Sequence, residues 1–469
     1  MIELMICAMD DPLDRWSSSH RLLCCFSRLP TKRQVWSNQE MQKVLALLFA
    51  VLIVSTAQAL PAPPVDLACR WSAQLTAALP GVSESYSVPF DLLIEHVPGG
   101  LGAALLNGSN HIDFSSAVQR EDEVTLRLDQ YDATLTAHCT HQTSKCTEMI
   151  GEYVRQKGTS ASHLAISAKC DPSFASPEAA KHSKFEDPIV GDWQFAFADS
   201  AGKPDAEGIA SAHFSERLGH LEGTIAPISG DYGMLSNSLF SGDKDEAFHL
   251  SRFDGIHALR LDGHLVSPDR MEGIFHVAPG HPLTFVATRT GASKGFDEAE
   301  HLTSVADPSE AFHFHGLDDA GAMVNGQDPR FRNKVVLLDV FGTWCPNCHD
   351  EAPVLQSLYA EFHKRGLEIV GLSYEYVDDR ARSLRLIDVY RRKYGIGFPL
   401  LLVGTTDAGQ IEKTLPQLRN FGAYPTTIFL DRHGRVRLIH AGFSGPATGR
   451  LDEVRQNFER TIVKLLDEQ

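Results

Sequence analysis

The most informative segment of the chain, residues 334–348, reads Lys-Val-Val-Leu-Leu-Asp-Val-Phe-Gly-Thr-Trp-Cys-Pro-Asn-Cys. Its apolar first half is typical of a strand buried in a parallel sheet. Apolar side chains then follow at helical spacing, at Val354, Leu355, Leu358 and Phe362. The pattern predicts a strand that runs directly into a helix, with Cys345 and Cys348 in the first turn of that helix.

This position gives the two cysteines a specific chemistry. A helix N-terminus carries unpaired N–H groups and a positive partial charge, which stabilise a thiolate. Cys345 comes first and is expected to be the more exposed sulfur, the nucleophile that attacks a substrate disulfide. Cys348 lies one turn later and is expected to resolve the mixed disulfide, so the pair is predicted to be a redox-active disulfide.

At this point a resemblance can be stated: residues 308–469 resemble the thioredoxin-fold domains of the TlpA/ResA-like disulfide reductase family. It rests on Phe341–Cys348 and on residues 423–428, Ala-Tyr-Pro-Thr-Thr-Ile, which are similar to the segment that holds the family's cis-proline. The resemblance implies that Pro425 is cis and faces the cysteines, where the preceding backbone pairs with an extended substrate. The residues expected to contact substrate are Trp344, Pro346, Asn347, Tyr424 and Pro425.

Two carboxylates are candidates for proton transfer. Asp339 lies six residues before Cys345 in an apolar run, where an acid is costly unless it is paired or functional. Burial would raise its pKa and suit it to relay a proton to or from Cys348. Glu375 ends the next predicted strand, near the place where ResA-like members carry a catalytic Glu, and is the second choice. His349 is interpreted as an exposed helix residue.

The region from Cys69 to about Thr290 favours short β-strands separated by Gly, Asn and Asp turns. It also contains a repeat with a constant offset of 122 residues. The matching pairs are Trp71 and Trp193, Asp132 and Asp254, Met149 and Met271, and Gly151 and Gly273. The repeat predicts two similar antiparallel β units, arranged as a sandwich or as small barrels.

Four cysteines in the first β unit are candidates for structural disulfides. A pairing of Cys69 with Cys170 and of Cys139 with Cys146 would join the ends of the unit and close one hairpin. Four cysteines allow three connectivities, and the spacing leaves the choice open. The histidines of this region lack ligand spacing with a thiol or carboxylate. We therefore expect no metal, and no cofactor beyond the redox-active dithiol.

The N-terminal region is predicted to direct export. Residues 41–59 combine a lysine, an apolar run and Ala-Gln-Ala before a cleavage site, as in a signal peptide. Residues 1–40 precede it without periodicity, and the simplest account places the true start at Met41. If Val44–Leu60 is not cleaved, it would anchor the chain in the membrane. In both cases the remainder is expected in the periplasm, where thiols oxidise to disulfides.

The composition predicts a multidomain globular protein. The chain has 469 residues, of which 43% are hydrophobic, and a formal net charge of −17. An acidic chain is a poor candidate for binding nucleic acid. The predicted domains after the signal peptide are a first β unit with a linker (60–187), a second β unit (188–292), a linker (293–307) and an α/β thioredoxin-like domain (308–469).

The sequence thus predicts an exported thiol–disulfide oxidoreductase that reduces protein disulfides. The resemblance implies a membrane electron donor of the DsbD or CcdA kind. One alternative is a periplasmic binding or interaction protein whose C-x-x-C is a static disulfide. Another is a thiol peroxidase or oxidase of the thioredoxin fold, although a peroxidase would need a Thr-x-x-Cys site in place of the C-x-x-C, and residues 308–469 contain none.

Overall fold

The computed structural model describes residues 65–468, apart from 79–84, 142–143, 159, 172–187, 200, 218–219, 237–246, 279 and 291–302. The predicted extension, the signal peptide and most of both predicted linkers therefore lie outside the described residues. Within the described part, no helix is long and apolar enough to cross a membrane.

The first β unit is a closed ring of antiparallel strands. Its strands are β1 (Cys69–Ala78), β2 (Ser85–Val97), β3 (Gly100–Asn107), β4 (Asn110–Asp113), β5 (Ser116–Arg120), β6 (Glu123–Leu128), β7 (Ala133–Cys139), β8 (Glu148–Lys157) and β9 (Ser160–Cys170). The ring closes because β1 pairs with both β2 and β9, and β2 also pairs with β3. Alternate side chains such as Trp71, Ala73 and Leu75 fill the interior.

The second β unit is a closed barrel of eight strands. They are β10 (Gly191–Ala198), β11 (Pro204–Arg217), β12 (His220–Pro227), β13 (Leu235–Ser236), β14 (Ala247–Phe253), β15 (Ala258–Ser267), β16 (Arg270–Ala278) and β17 (Leu283–Arg289). Closure comes from the pairing of β10 with β17. Aromatic side chains pack the interior, among them Trp193, Phe195, Phe214, Phe275 and Phe285.

Matching contacts in the two barrels support the interpretation of the region as a repeat. Trp71 and Trp193 lie on the first strand of each barrel, and each donates its indole N–H to the carbonyl four residues earlier. Gly151 and Gly273 lie where strands approach closely, and a Cβ at either would be 2.0 Å from a backbone carbonyl oxygen. A larger residue is excluded at both positions for the same reason.

The two barrels pack against each other through polar and aromatic contacts. The Asn107 side chain exchanges two hydrogen bonds of 3.1 Å with the backbone of Phe253. The Tyr153 hydroxyl donates to the carbonyl of Gly255. The rings of Phe90 and Phe253 lie 5.1 Å apart between centroids. These contacts join the barrels because each polar group is buried together with its partner.

The C-terminal domain has the predicted α/β organisation. Its strands are β18 (Ser304–Val305), β19 (His315–Leu317), β20 (Met323–Asn325), β21 (Val335–Phe341), β22 (Leu367–Glu375), β23 (Leu400–Thr405), β24 (Leu418–Arg419), β25 (Thr426–Leu430) and β26 (Val436–Ala441). Its helices are α1 (Pro346–Phe362), α2 (Arg380–Tyr394), α3 (Gln410–Thr414) and α4 (Leu451–Asp467). Seven strands form one sheet in the order β20-β19-β23-β22-β21-β25-β26, in which β21, β22 and β23 are parallel.

Two arginines of α2 contact the first barrel: Arg382 and, at 3.6 Å from the Asp132 carboxylate, Arg385. Arg382, in the first turn of α2, donates from Nε to a carboxylate oxygen of Asp132 at 2.8 Å. Its two terminal nitrogens donate to the carbonyls of Gly158 and Gln156, at 2.7 and 3.2 Å. Such a fork of donors holds a partner in one orientation.

Two disulfides lie in the first barrel. Cys69 is bonded to Cys170, 101 residues away, and Cys139 to Cys146, seven residues away. This is one of the three connectivities that the sequence left open.

The different loop lengths lead to a stability prediction. A disulfide limits the unfolded chain more when it closes a longer loop, by about 5 kcal/mol for 100 residues against about 2 kcal/mol for seven. We expect C69A/C170A to lower the urea unfolding midpoint of the barrel region clearly more than C139A/C146A does. Equal losses in the two double variants would contradict the assignment of a larger stabilising role to the long-range bond.

Candidate active site

Cys345 is the N-cap of helix α1. Its sulfur accepts a hydrogen bond from the backbone N–H of Cys348 at 3.2 Å, and its thiol is 3.6 Å from the carbonyl oxygen of Tyr424. Pro346 is the first residue of the helix, where its missing N–H costs little. The sulfur therefore lies at the helix terminus that stabilises negative charge.

The loop before β25 lies against the cysteine pair. The peptide bond between Tyr424 and Pro425 is cis. The Trp344 ring lies edge-on to Tyr424 at 5.2 Å, and its indole N–H donates to the carbonyl of Tyr374 at 2.8 Å. The structure thus brings Trp344, Cys345 and Tyr424 together.

Cys348 is buried behind Cys345. Burial raises its pKa well above the usual value, and the hydrogen bond and negative charge of Cys345 and the charge of Asp339 act in the same direction. The Tyr390 hydroxyl donates to the Cys348 carbonyl at 2.7 Å. As a result, Cys348 retains its proton until a base accepts it.

Asp339 forms a buried acid pair with Glu351. Burial, followed by the charge of Glu351, raises the pKa of Asp339 well above its usual value. Burial also raises the pKa of Glu351 to about 7, and the Thr427 hydroxyl donates to its carboxylate at 2.6 Å. Two acids this close share protons instead of ionising independently.

Glu351 is a candidate site residue that the sequence analysis did not identify. It follows Cys348 by three residues, so the two share one face of α1. The neighbours on that face, Ala352 and Leu355, are apolar and buried. An acid on a buried apolar helix face, one turn from a cysteine, was the signal available in the sequence.

Glu375 is held by three hydrogen bonds. It accepts from the Thr343 backbone N–H at 3.1 Å, the Thr343 hydroxyl at 2.7 Å and the Ser373 hydroxyl at 2.6 Å. Burial raises its pKa. These bonds fix the turn that precedes Cys345, so Glu375 positions the motif from behind.

His349 is buried, and the expectation that it is an exposed helix residue is wrong. Its Nε2 donates to the Thr343 carbonyl at 2.8 Å, and its Nδ1 lies 2.7 Å from the Tyr394 hydroxyl. Burial lowers its pKa to about 3, so the ring is neutral. The physical reason is that three tyrosine rings surround it: Tyr131 of the first barrel at 5.1 Å, and Tyr390 and Tyr394 of α2 at 5.0 and 5.5 Å.

Cys345 is, as expected, more exposed than Cys348, but at 4% against 1% both residues are buried. Residues 228–234, between β12 and β13, lie over the cysteine motif, and we call them the cap segment. A Cβ at Gly230 of this segment would be 2.2 Å from Nδ2 of Asn347. The Asp231 carboxylate accepts the Gly445 N–H at 2.6 Å.

A cavity of about 250 Å³ remains between the cap segment and the cysteine motif. The C-terminal domain, which we call the redox domain, contributes five lining residues named in the sequence analysis: Trp344, Cys345, Pro346, Asn347 and Tyr424. Four of the five residues expected to contact substrate therefore face one space together with the predicted nucleophile.

The acid pair leads to a pH prediction. The pKa of Glu351 is about 7 in the folded protein, against an ordinary value of 4.5. At a pH between these two values the folded state therefore binds more protons than the unfolded state does. The free energy of unfolding should therefore fall as the pH rises from about 4.5 to about 7. The E351Q variant retains an acceptor for the Thr427 hydroxyl but cannot titrate. Its urea unfolding midpoint should therefore decrease less between pH 5 and pH 8 than that of the wild type.

The matched control is E361Q, a change of a half-exposed acid on the same helix. The interpretation fails if wild type, E351Q and E361Q lose the same stability between the two pH values.

Comparison with known proteins agrees with this geometry. Residues 309–439 match the AhpC/TSA family. The thiol-disulfide oxidoreductase ResA of Halalkalibacterium halodurans is 31% identical over 111 residues, 23% of this chain and 54% of that protein. The thiol:disulfide interchange protein DsbE of Escherichia coli is 29% identical over 166 residues, 35% of this chain and 80% of that protein.

A crystal structure of a thiol:disulfide interchange protein from Chlorobium tepidum is 21% identical, with a TM-score of 0.27, and covers 35% of this chain and 99% of that one. The chain spans between about half and two thirds of the length of the ResA proteins that it matches. The C-terminal region is therefore a thioredoxin-fold domain of the AhpC/TSA family, similar to the ResA and DsbE thiol–disulfide oxidoreductases.

Proposed function

We propose that the protein is an exported thiol–disulfide oxidoreductase that reduces disulfides through Cys345 and Cys348. The observation that carries this proposal is the position of the Cys345 sulfur, at the N-cap of α1 and beside the carbonyl of Tyr424. The similarity of the domain to ResA and DsbE supports the same reaction class.

In the first step the Cys345 thiolate attacks one sulfur of the substrate. A bond forms between that sulfur and Cys345, and the substrate S–S bond breaks. The departing thiolate takes a proton and leaves as a thiol. The N–H of Cys348 stabilises the attacking thiolate at the helix terminus.

In the second step Cys348 attacks the Cys345 sulfur. Because burial holds a proton on Cys348, a base must remove it first. The Asp339–Glu351 pair is suited to this role, since burial raises the pKa of both acids, that of Glu351 to about 7. The charge of Asp339 also acts on the Cys348 thiol. The substrate leaves with two electrons as a second thiol, and the protein retains a disulfide between Cys345 and Cys348.

The oxidised protein must be reduced again by an external dithiol. The resemblance implies a membrane donor of the DsbD or CcdA kind and protein disulfides as substrates, and we include both in the proposal together with a periplasmic location. A binding function for the second barrel is less well supported, because aromatic side chains pack its described interior.

Substitution of the two cysteines tests this mechanism. C345S should abolish reduction of insulin and of cystine, because the nucleophile is gone. C348S should accumulate a mixed disulfide between Cys345 and the substrate, visible by mass spectrometry. The control, C139A/C146A, removes sulfurs from the first barrel and should retain activity. Full activity in C345S would refute the proposal.

Substitution of the buried acid tests the proton transfer. D339N should slow resolution of the mixed disulfide by about 100-fold or more, since general acid–base catalysis contributes about 10²–10⁴-fold, and should leave its formation nearly unchanged. Rapid acid quench followed by mass analysis separates the two steps. The exposed Asp319 offers a control, D319N, and equal resolution rates in the two variants would count against a role for Asp339.

A further inference from the structure

The cap segment has a fixed position over the cysteine motif. Gly230 donates its N–H to the Pro227 carbonyl at 3.1 Å and has a φ of +131°, which a side chain would strain. The Asp231 carboxylate accepts the N–H of Gly233 at 2.7 Å and that of Gly445 at 2.6 Å. One carboxylate therefore shapes the turn and also attaches it to the redox domain.

The contact between the cap segment and the redox domain is close at several points. Ser229 lies so near the loop after β26 that a Cβ at Gly442 would be 2.6 Å from its carbonyl oxygen. Gly230 leaves no room for a side chain against Asn347. Because backbone packs on backbone here, a substrate cannot reach Cys345 from this side without displacing the segment.

The cavity next to Cys345 is small. Its volume of about 250 Å³ lies below the roughly 300–1,000 Å³ of typical pockets for drug-sized ligands. Besides the cysteine motif, it is lined by Tyr232, Arg252 and His257 of the second barrel and by Asp350 of α1. Groups of both charge signs thus surround a space that fits a small polar molecule.

We propose that the cap segment selects low-molecular-weight disulfides, about the size of cystine, over disulfides in folded proteins. This proposal rests on the proposed function. This substrate class differs from the protein disulfides that the resemblance implies. A small disulfide enters the cavity and presents one sulfur to Cys345. A disulfide in a folded protein is surrounded by the surface of that protein. This surface would have to occupy the space that the cap segment fills next to Cys345.

The chemistry is that of the two-step exchange. The Cys345 thiolate bonds to one sulfur of cystine and one cysteine thiolate leaves. Cys348 then attacks Cys345 and releases the second cysteine. Two electrons pass from the protein to cystine, the two cysteines take up two protons, and the protein ends as the Cys345–Cys348 disulfide. An external dithiol reduces it again.

A comparison of two substrates tests the selection. The full chain is reduced, freed of reductant and mixed with L-cystine or insulin, and the rate of loss of the Cys345 and Cys348 thiols is measured. Dithiothreitol, an unselective dithiol, gives the reference ratio of the two rates. The protein's cystine-to-insulin ratio should exceed that reference at least tenfold.

An equal or lower ratio would overturn the selection while leaving the proposed function intact. Failure of both substrates to oxidise the pair would instead refute the proposed function.

Loosening of the cap segment gives a second test. In D231N the amide oxygen can still accept the Gly233 N–H, but the amide nitrogen cannot accept the Gly445 N–H. The cystine-to-insulin ratio should fall at least fivefold. The control is D199N, since Asp199 likewise accepts two backbone N–H groups but within its own turn, and its ratio should match wild type.

A second variant covers the case in which D231N does not fold. In G445A the new Cβ would lie 2.7 Å from a carboxylate oxygen of Asp350 and 3.1 Å from one of Asp231, which pushes the cap segment outward. An unchanged ratio in either folded variant would overturn the selecting role of the segment.

Discussion

The chemistry of this protein depends on one local constraint: strand β21 ends two residues before a turn that places Cys345 at the N-cap of α1. The cysteine sulfur then takes the place that a serine or aspartate oxygen usually occupies and accepts the N–H of Cys348. The same turn is fixed from behind by the carboxylate of Glu375 through Thr343. Helix geometry therefore places the sulfur where negative charge is stabilised.

The two barrels change how this site meets its surroundings. In a free thioredoxin-like domain the helix terminus would face solvent, whereas here Tyr131 packs on His349 and the cap segment covers Cys345. The β region therefore acts on the redox site by exclusion, since it limits what can approach the sulfur. The Asp231 carboxylate attaches the cap segment to the redox domain by accepting the Gly445 N–H.

The sequence predicted the features that depend on local patterns. The apolar run before Cys345 and the helical spacing after Cys348 predicted the strand and helix, and the prediction of a thioredoxin-like domain is confirmed. The 122-residue repeat indicated two related β units because Trp71 and Trp193 recur in the same role. The sequence did not decide between a barrel and a sandwich for these units, because strand order depends on pairing between distant residues.

The errors share one cause. His349 was expected to be exposed, and the near-complete burial of Cys345 was not predicted. Both are covered in part by the barrels, through Tyr131 on His349 and the cap segment on Cys345. Glu351 was missed because its partner, Asp339, is adjacent only after the helix packs on the sheet. Such contacts follow from tertiary packing, which periodicity does not report.

The reduction potential of the Cys345–Cys348 pair tests the central claim most directly. The full chain is equilibrated in dithiothreitol buffers of graded potential, and the fraction of free thiol at the two positions is measured by alkylation and mass spectrometry. A working dithiol should give a midpoint above about −300 mV, in the range of thioredoxin-fold reductases. A midpoint well below about −300 mV would identify a static structural disulfide and contradict the account.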